Sequence, residues 1–527
     1  MQRLPVAISR ELRYWPYLLL ALLNTILYAG LLPLWEGFDE GFHYAYVETL
    51  AASGRLPDPR TAGVSKAIAE SFRLAPASPA VRENLPFART YSGFFALPEE
   101  QRREIAAALR AIPPAWRNEP PLTGLKNYEA QQAPLAYLLL APLDAWWASD
   151  PLPERVWRLR VACGIAGVLL HLGAGLALAR RMGLSAGTTQ MMLLLLCLPQ
   201  MLYASIAHIS NDWLAIGLSS WFAVRLLSFL ERPAAGNALG LGVVLALGLL
   251  TKAYFLPWAA LGAVALVWSV WRKRAGMAAA ASLTLPVLLL AGPWYARNVM
   301  LTGSLSGTMQ SASGIGFAQT ARAAAELPWA KVAPMLARSA VWTGNSSFTT
   351  FSEATVHLHL LLLAAALACW VGARGKGFGE AWLGSAPVVY AGTLLYACAV
   401  FYAYRPGVIS ISPWYTPAMH LPLAALAALG LERAGAAGRW LAIAVASLGV
   451  YLLAATYVLK LIPLYAGCEM ARVDWGALRA CYQAPGLGAR LGQNSLAAPW
   501  ATGLTTGMVL MLLGWGWISV LRRRSGE

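Results

Sequence analysis

Apolar stretches of roughly 18 to 22 residues recur along the chain, each about the length needed to cross a bilayer as an α-helix. They fall near 14–34, 157–179, 187–207, 212–230, 236–251, 254–271, 277–296, 356–373, 384–403, 414–431, 440–459 and 501–521. The pattern predicts an all-α polytopic membrane protein with about 12 spans. A further apolar segment, 134–148, is short and carries Asp144. It reads as an interfacial or half-spanning helix with Trp146 and Trp147 at headgroup level.

Composition agrees with this pattern: of 527 residues 58% are hydrophobic and 13% charged. The formal charge of +16 raises the question of nucleic acid, but the basic clusters sit at span ends. They are Arg10 and Arg13, Arg180-Arg181, Arg272-Lys273-Arg274, Arg374 and Lys376, and Arg522-Arg523-Arg524. Positive-inside topology accounts for them, and no nucleic-acid partner is expected. Placing all of them in the cytoplasm requires an even number of crossings.

The organisation that follows has seven parts. Residues 1–34 form a cytoplasmic N-terminus and first span, read as a retained anchor because no small-residue cleavage site follows it. Residues 35–155 form a large first extracytoplasmic loop with juxtamembrane helices, mixing Pro-rich stretches with a charged helical pattern near 98–110. Residues 156–297 are the transmembrane core, 298–355 a second outer loop, 356–459 the C-terminal spans, 460–500 a third outer loop, and 501–527 the last span with a basic cytoplasmic tail. The abundance of Ala, Leu, Gly and Arg suggests a bacterial inner membrane. Four cysteines (Cys163, Cys197, Cys369, Cys398) lie in apolar runs and read as small hydrophobes. Cys468 and Cys481 flank a polar segment of the last loop, which suggests a disulfide if that loop faces an oxidising compartment. Two free thiols in a cytoplasmic loop are the alternative.

Chemistry concentrates just beyond the first span, in Phe38-Asp39-Glu40-Gly41-Phe42-His43. A carboxylate there meets low dielectric on one side and water on the other, so burial can tune its basicity. If 38–50 is helical, Asp39 and His43 share a face while Glu40 turns away. A polar cap on a juxtamembrane helix, with Asp39 favourable at its N-terminus, explains the same residues without function. The first histidine of H-E-x-x-H is missing, so this is not a zincin motif.

The continuation through Tyr44-Ala45-Tyr46 to Ser53-Gly54-Arg55-Leu56-Pro57 resembles the first outer loop of GT-C membrane glycosyltransferases, where a D-E-x-x-H-like element precedes a helix ending in G-x-x-P. Further elements similar to the family follow in order. Tyr128-Glu129-Ala130-Gln131-Gln132-Ala133-Pro134-Leu135-Ala136-Tyr137 resembles its Q-P-P-L-x-Y element, and Ser210-Asn211-Asp212 its polar turn before a span. Thr251-Lys252 and Trp294-Tyr295-Ala296-Arg297-Asn298 through Gly303 are similar to elements of bacterial members, among them proteins like the dolichyl-phosphate-mannose-protein mannosyltransferases and the aminoarabinose transferases. These cover about the first 310 residues. Later, Pro413-Trp414-Tyr415-Thr416-Pro417 lacks the arginine of the family's R-Y-x-x-P element, and Arg405 stands upstream as its candidate replacement.

The resemblance implies an inverting transferase moving a hexosyl or pentosyl group from a polyprenyl-phosphate donor to an extracytoplasmic acceptor, an envelope glycan or lipid-linked saccharide. Asp39 would be the base, with Glu40 and His43 beside it. Lys252, Arg297 and Arg405 would hold donor phosphate, since cations must stabilise the departing oxygen. Snorkelling is the ordinary alternative for Lys252 and Arg297. Gln132, Tyr137, Asn211, Asp212 and Asn298 are the substrate-binding candidates, although Asn211 and Asp212 are also ordinary helix caps. Asp39, Glu40 and Asp212 suit a hard divalent ion, whereas the D-E-x-x-H variant resembles members that act without one. No cofactor is required by this reading, and a divalent cation stays open. The rival function is a secondary transporter or a lipid or saccharide flippase. That rival wants ionisable groups at mid-membrane, where His171 and His420 are the main candidates. The absence of an internal repeat weakens it.

Overall fold

The computed structural model describes residues 13–522 except 84, 120–123, 309–312, 340, 342–350, 469 and 471–472. Arg10, Arg523 and Arg524 of the terminal basic clusters lie outside the described residues. The chain is an all-helical membrane protein. Among the described residues β structure is confined to isolated bridges such as Pro33 with Ser495 and Gly63 with Lys126.

Helix α1 (Trp15–Leu31) is followed by α2 (Glu40–Ser53), α3 (Lys66–Leu74), α4 (Glu99–Arg110) and α5 (Leu135–Trp146). The long α6 (Leu152–Arg181) leads into α7 (Ala186–Cys197) and α8 (Gln200–Ile206). Then come α9 (Asp212–Glu231), α10 (Ala235–Leu249), α11 (Ala253–Trp271) and α12 (Met277–Thr302). After the second loop follow α13 (Glu353–Gly372), α14 (Phe378–Tyr404), α15 (His420–Arg433), α16 (Gly435–Tyr465) and α17 (Pro499–Leu521).

Eight helices among the described residues are long and apolar enough to cross a membrane, or up to nine if the bent pair α7 and α8 is one span. The other three apolar segments form α1, α10 and α15, of 17, 15 and 14 residues, at or below the roughly 17-residue minimum for a crossing. The pair α7 and α8 is bent by 59° at Pro199, whose ring and missing N–H interrupt the ladder. Helix α5 has 12 residues, about 18 Å, too short to span. Its Asp144 does not face lipid: it accepts from Arg117 (2.7 Å), Arg155 (3.3 Å) and the Tyr44 hydroxyl (2.9 Å), all buried. This network joins α2, α5 and α6.

Helix α9 is central, with 89% of its apolar window buried, whereas α13 and α14, at 17% and 22%, form the perimeter. It packs on α6 and α10, while α1 packs on α6 and α17. The turns that flank these helices converge. Leu135 N–H bonds the Leu250 carbonyl at 2.9 Å, and Ile209 N–H bonds Glu40 at 3.0 Å. The residues after α1, before α5, before α9 and after α10 therefore meet in one place.

Candidate active site

The turn between α1 and α2 sets the site. Trp35 and Asp39 both have positive φ, 65° and 55°, conformations that side chains with a Cβ adopt at a cost. Gly37 lies between them, where a Cβ would come within 2.7 Å of His208, so only glycine fits. Trp35 is held by its indole N–H on the Ser71 hydroxyl at 2.9 Å. Helix α2 then runs to Gly54, φ 67°, whose N–H closes on the Leu50 carbonyl, an ordinary left-handed glycine stop.

Because Asp39 stands at the N-cap rather than inside the helix, the two adjacent carboxylates diverge. Asp39 is partly exposed and its Oδ1 accepts the Tyr128 hydroxyl at 2.6 Å. Burial raises its pKa above the ordinary aspartate value, against the Tyr128 hydrogen bond and the Lys252 charge, with Asp212 adding to the rise. Glu40 is sealed. Both its oxygens are taken by Arg160, at 2.7 and 2.5 Å, and one also by the Ile209 amide. Burial opposes its ionisation, but the Arg160 charge and these bonds hold the carboxyl below its usual range. Both oxygens of Glu40 are thus engaged within the fold, whereas Asp39 keeps an exposed side.

His43 turns to Tyr137, whose hydroxyl lies 2.7 Å from Nδ1, with Glu129 3.7 Å away. Burial, then the Lys252 and His208 charges, push the imidazole well below its ordinary pKa. Glu129 moves the other way, up to about 8, through burial and the Asp39 charge. Near neutral pH both members of this contact are thus uncharged, and it is not an ion pair. Residues 128 and 129 straddle the first turn of α2, Tyr128 touching Asp39 and Glu129 touching His43.

Lys252 is buried, with Nζ 2.5 Å from Asp212 and 5.3 Å from the ring centres of both Tyr254 and Tyr415. Asn211 donates to the Gln132 side chain at 3.2 Å and to the Thr251 carbonyl at 3.1 Å. Asp39, His43, Gln132, Tyr137, Asn211, Asp212 and Lys252 thus share one cluster. Arg297 stands at its margin, half-buried over Trp294 at 4.8 Å, with its charge felt by Tyr46. Arg405 is not brought in. It is exposed at the end of α14 and lies against Tyr404, because the helix ends eight or more residues before the Trp414 turn. Nor is Asn298: its amide holds the carbonyls of Leu305 and Ser306 and packs against Gly307, so it shapes a turn. Among the described residues no three His, Cys, Asp or Glu side chains converge as metal ligands. Cys468 and Cys481 form a disulfide.

Asp39 opens on a cavity of about 180 Å³ whose walls include Phe38, Phe72 and Trp414. Phe38 stacks on Trp414 at 4.4 Å. Tyr128, Glu129, Tyr415 and Trp414 were not singled out by sequence reasoning, although all lie in the two elements that drew attention for other positions. An acid three residues before a glutamine already suspected of touching substrate was the available signal for Glu129.

No protein-family model matches the chain, and no curated protein does. Two solved structures are similar to it, both of ArnT from Cupriavidus metallidurans. The form bound to undecaprenyl phosphate is 13% identical with a TM-score of 0.49, over 97% of this chain and 78% of that one. The apo form is 15% identical with a TM-score of 0.46, over 95% and 76%.

Proposed function

We propose that this protein is a GT-C type glycosyltransferase that moves a sugar from a polyprenyl-phosphate donor to a hydroxyl acceptor, with its site on the extracytoplasmic face. The observation that carries the reading is the division of labour between neighbours. Glu40 is spent on Arg160, while Asp39 is held partly exposed in a strained turn, beside a buried lysine and at the mouth of a cavity. Strain and a raised carboxylate at one position are the marks of a functional residue.

The chemistry then follows. Asp39, more basic than a solvated aspartate, takes the proton of the acceptor hydroxyl. The freed oxygen attacks the anomeric carbon as the bond to the phosphate oxygen breaks, and one displacement inverts the centre. The electron pair leaves on the phosphate, whose charge Lys252 and, from the margin, Arg297 stabilise. Asp212 positions Lys252 for this through their buried 2.5 Å contact. The neighbouring Tyr254 and Tyr415 rings add cation–π support.

The test is transfer of labelled sugar from a panel of undecaprenyl-phosphate hexoses and pentoses in proteoliposomes. Wild type is expected to transfer and Asp39→Asn to insert normally without transferring. Labelled lipid that crosses the bilayer with no sugar transferred from any donor would instead establish the flippase alternative.

A further inference from the structure

The cavity beside Asp39 is built differently from the lysine side of the site. Its walls include Phe38, Phe72, Val81 and Trp414, and its charged groups among the described residues are Asp39, Glu40 and Glu83. Glu40 is neutralised by Arg160. That leaves Asp39 and the exposed Glu83 as its free carboxylates, and no lysine or arginine on the described lining. Lys252 does not border it. Gly41 keeps it in shape, since a Cβ there would lie 2.4 Å from the Phe72 ring and displace it.

We propose that this cavity is the acceptor subsite and that it takes a neutral sugar ring, unphosphorylated next to its reacting hydroxyl. This rests on the transferase reading and names the acceptor class within it. Size fits: an apolar cavity of roughly 150 Å³ admits benzene, so the 180 Å³ here admits one six-membered ring. Chemistry fits too. A pyranose offers an apolar C–H face to the Phe38 and Trp414 rings and a hydroxyl edge to Asp39, the usual pairing of an apolar lining with a few placed polar groups. Charge excludes the anionic alternative. A phosphate carried into this space would face two carboxylates without a cation, which disfavours it in partial burial far more than in water. The two sides of Asp39 thus sort the two substrates by charge. Phosphate belongs on the lysine side, and the neutral acceptor belongs against the aromatic walls of the cavity.

The experiment reads binding without a donor. Full-length protein in nanodiscs is titrated with methyl hexosides and with their 6-phosphates, and saturation transfer from protein to ligand is followed by NMR. Wild type is expected to bind at least one neutral hexoside at least tenfold more tightly than its 6-phosphate. Val81→Trp, which fills the cavity from a half-buried position, should abolish that binding, and Glu83→Lys should narrow the discrimination. Equal or tighter binding of the phosphorylated form by wild type overturns the proposal. So does neutral binding that survives Val81→Trp, or no hexoside binding at all. In the transfer assay Val81→Trp should raise acceptor KM and leave donor KM unchanged; the opposite split would reassign the cavity to the donor and overturn it. Intact discrimination together with no transfer from any donor would strike the catalytic reading alone.

Discussion

Arg160 and Glu40, 120 residues apart in sequence, form a two-pronged ion pair at 2.7 and 2.5 Å with neither side chain exposed. The guanidinium also binds the carbonyls of Leu32 and Pro33, so it fastens the turn that carries Asp39 to α6. Removing one partner of such a pair strands a buried charge. Glu40→Ala should lower stability by about 3–5 kcal/mol, whereas Glu40→Ala with Arg160→Met should recover part of the loss. Thermal unfolding in detergent measures both. A Glu40→Ala protein as stable as wild type but inactive would return Glu40 to the reaction.

Asp39 separates fold from chemistry in the opposite way. Asn tolerates the left-handed backbone and can accept the Tyr128 hydroxyl, so Asp39→Asn should stay within about 1 kcal/mol of wild type while transfer falls by roughly 10²–10⁴. Asp39→Ala gives up both the backbone tolerance and the hydrogen bond. It should be the less stable of the two by about 1–3 kcal/mol though equally inactive. The order of melting temperatures checks the strain, and the transfer rates check the base.

Lys252 and Asp212 form a buried pair, so a single change at either confounds structure with function. Lys252→Met should unfold at lower temperature because Asp212 is left unpaired; Lys252→Met with Asp212→Asn should restore the fold and still bind donor poorly. Lys252 also lowers the Asp39 pKa. Transfer needs ionised Asp39 and rises with pH through that pKa, so losing the lysine should move the acid limb of the pH–rate profile to higher pH. An unmoved limb with raised donor KM would mean that Lys252 acts on phosphate alone.

Much of the fold was legible because crossing a membrane imposes one visible requirement, apolar length, and each of the twelve apolar runs became helical, one of them as the bent pair α7 and α8. What the runs could not show is which of them reach across: α10 is as apolar as α11 but has only 15 residues. Asp39, Asp212 and Lys252, which the structure brings together, were picked out from ordered family-like elements. The destination of Glu40 was not, because its partner lies 120 residues away and no local pattern records a long-range pair. A clue existed. Arg160 and Arg155 sit in the first turns of a long apolar helix, and an arginine buried there demands a carboxylate. Asn298 misled for a related reason: a polar residue at a helix end serves a turn as readily as a substrate, and only the Leu305 and Ser306 carbonyls decide which.

Cys468 and Cys481 close a loop with a sequence separation of 13. In the chain-entropy account a loop of that size contributes about 3 kcal/mol by restricting the unfolded chain. Cys468→Ser with Cys481→Ser should therefore destabilise the 466–494 region by about that amount. Hydrogen exchange there, faster than in wild type while α9 is unchanged, is the expected readout. Membrane-impermeant maleimide applied to intact cells after reduction should label both thiols if this loop faces outward. Labelling only after cell lysis would place it, and with it the whole predicted orientation, on the other side.

Glu129 gives the protein a pH dependence with a definite sign. Its folded pKa, up to about 8, lies above the ordinary glutamate value, so between the two the folded chain holds a proton that the unfolded chain has released. Stability from this group is therefore complete below the unfolded pKa and is lost as pH rises through about 8, the reverse of a salt-bridged carboxylate. Gln resembles the protonated form and cannot ionise. Glu129→Gln should match wild type near pH 5 and exceed it increasingly towards pH 9, as melting temperatures in parallel buffers would show. Because Glu129 is already uncharged below about 8, the substitution should leave the Asp39 limb of the rate profile where it is. Melting curves that run parallel across the whole range would show that Glu129 is ionised throughout, and the burial assigned to it between His43 and Asp39 would be wrong.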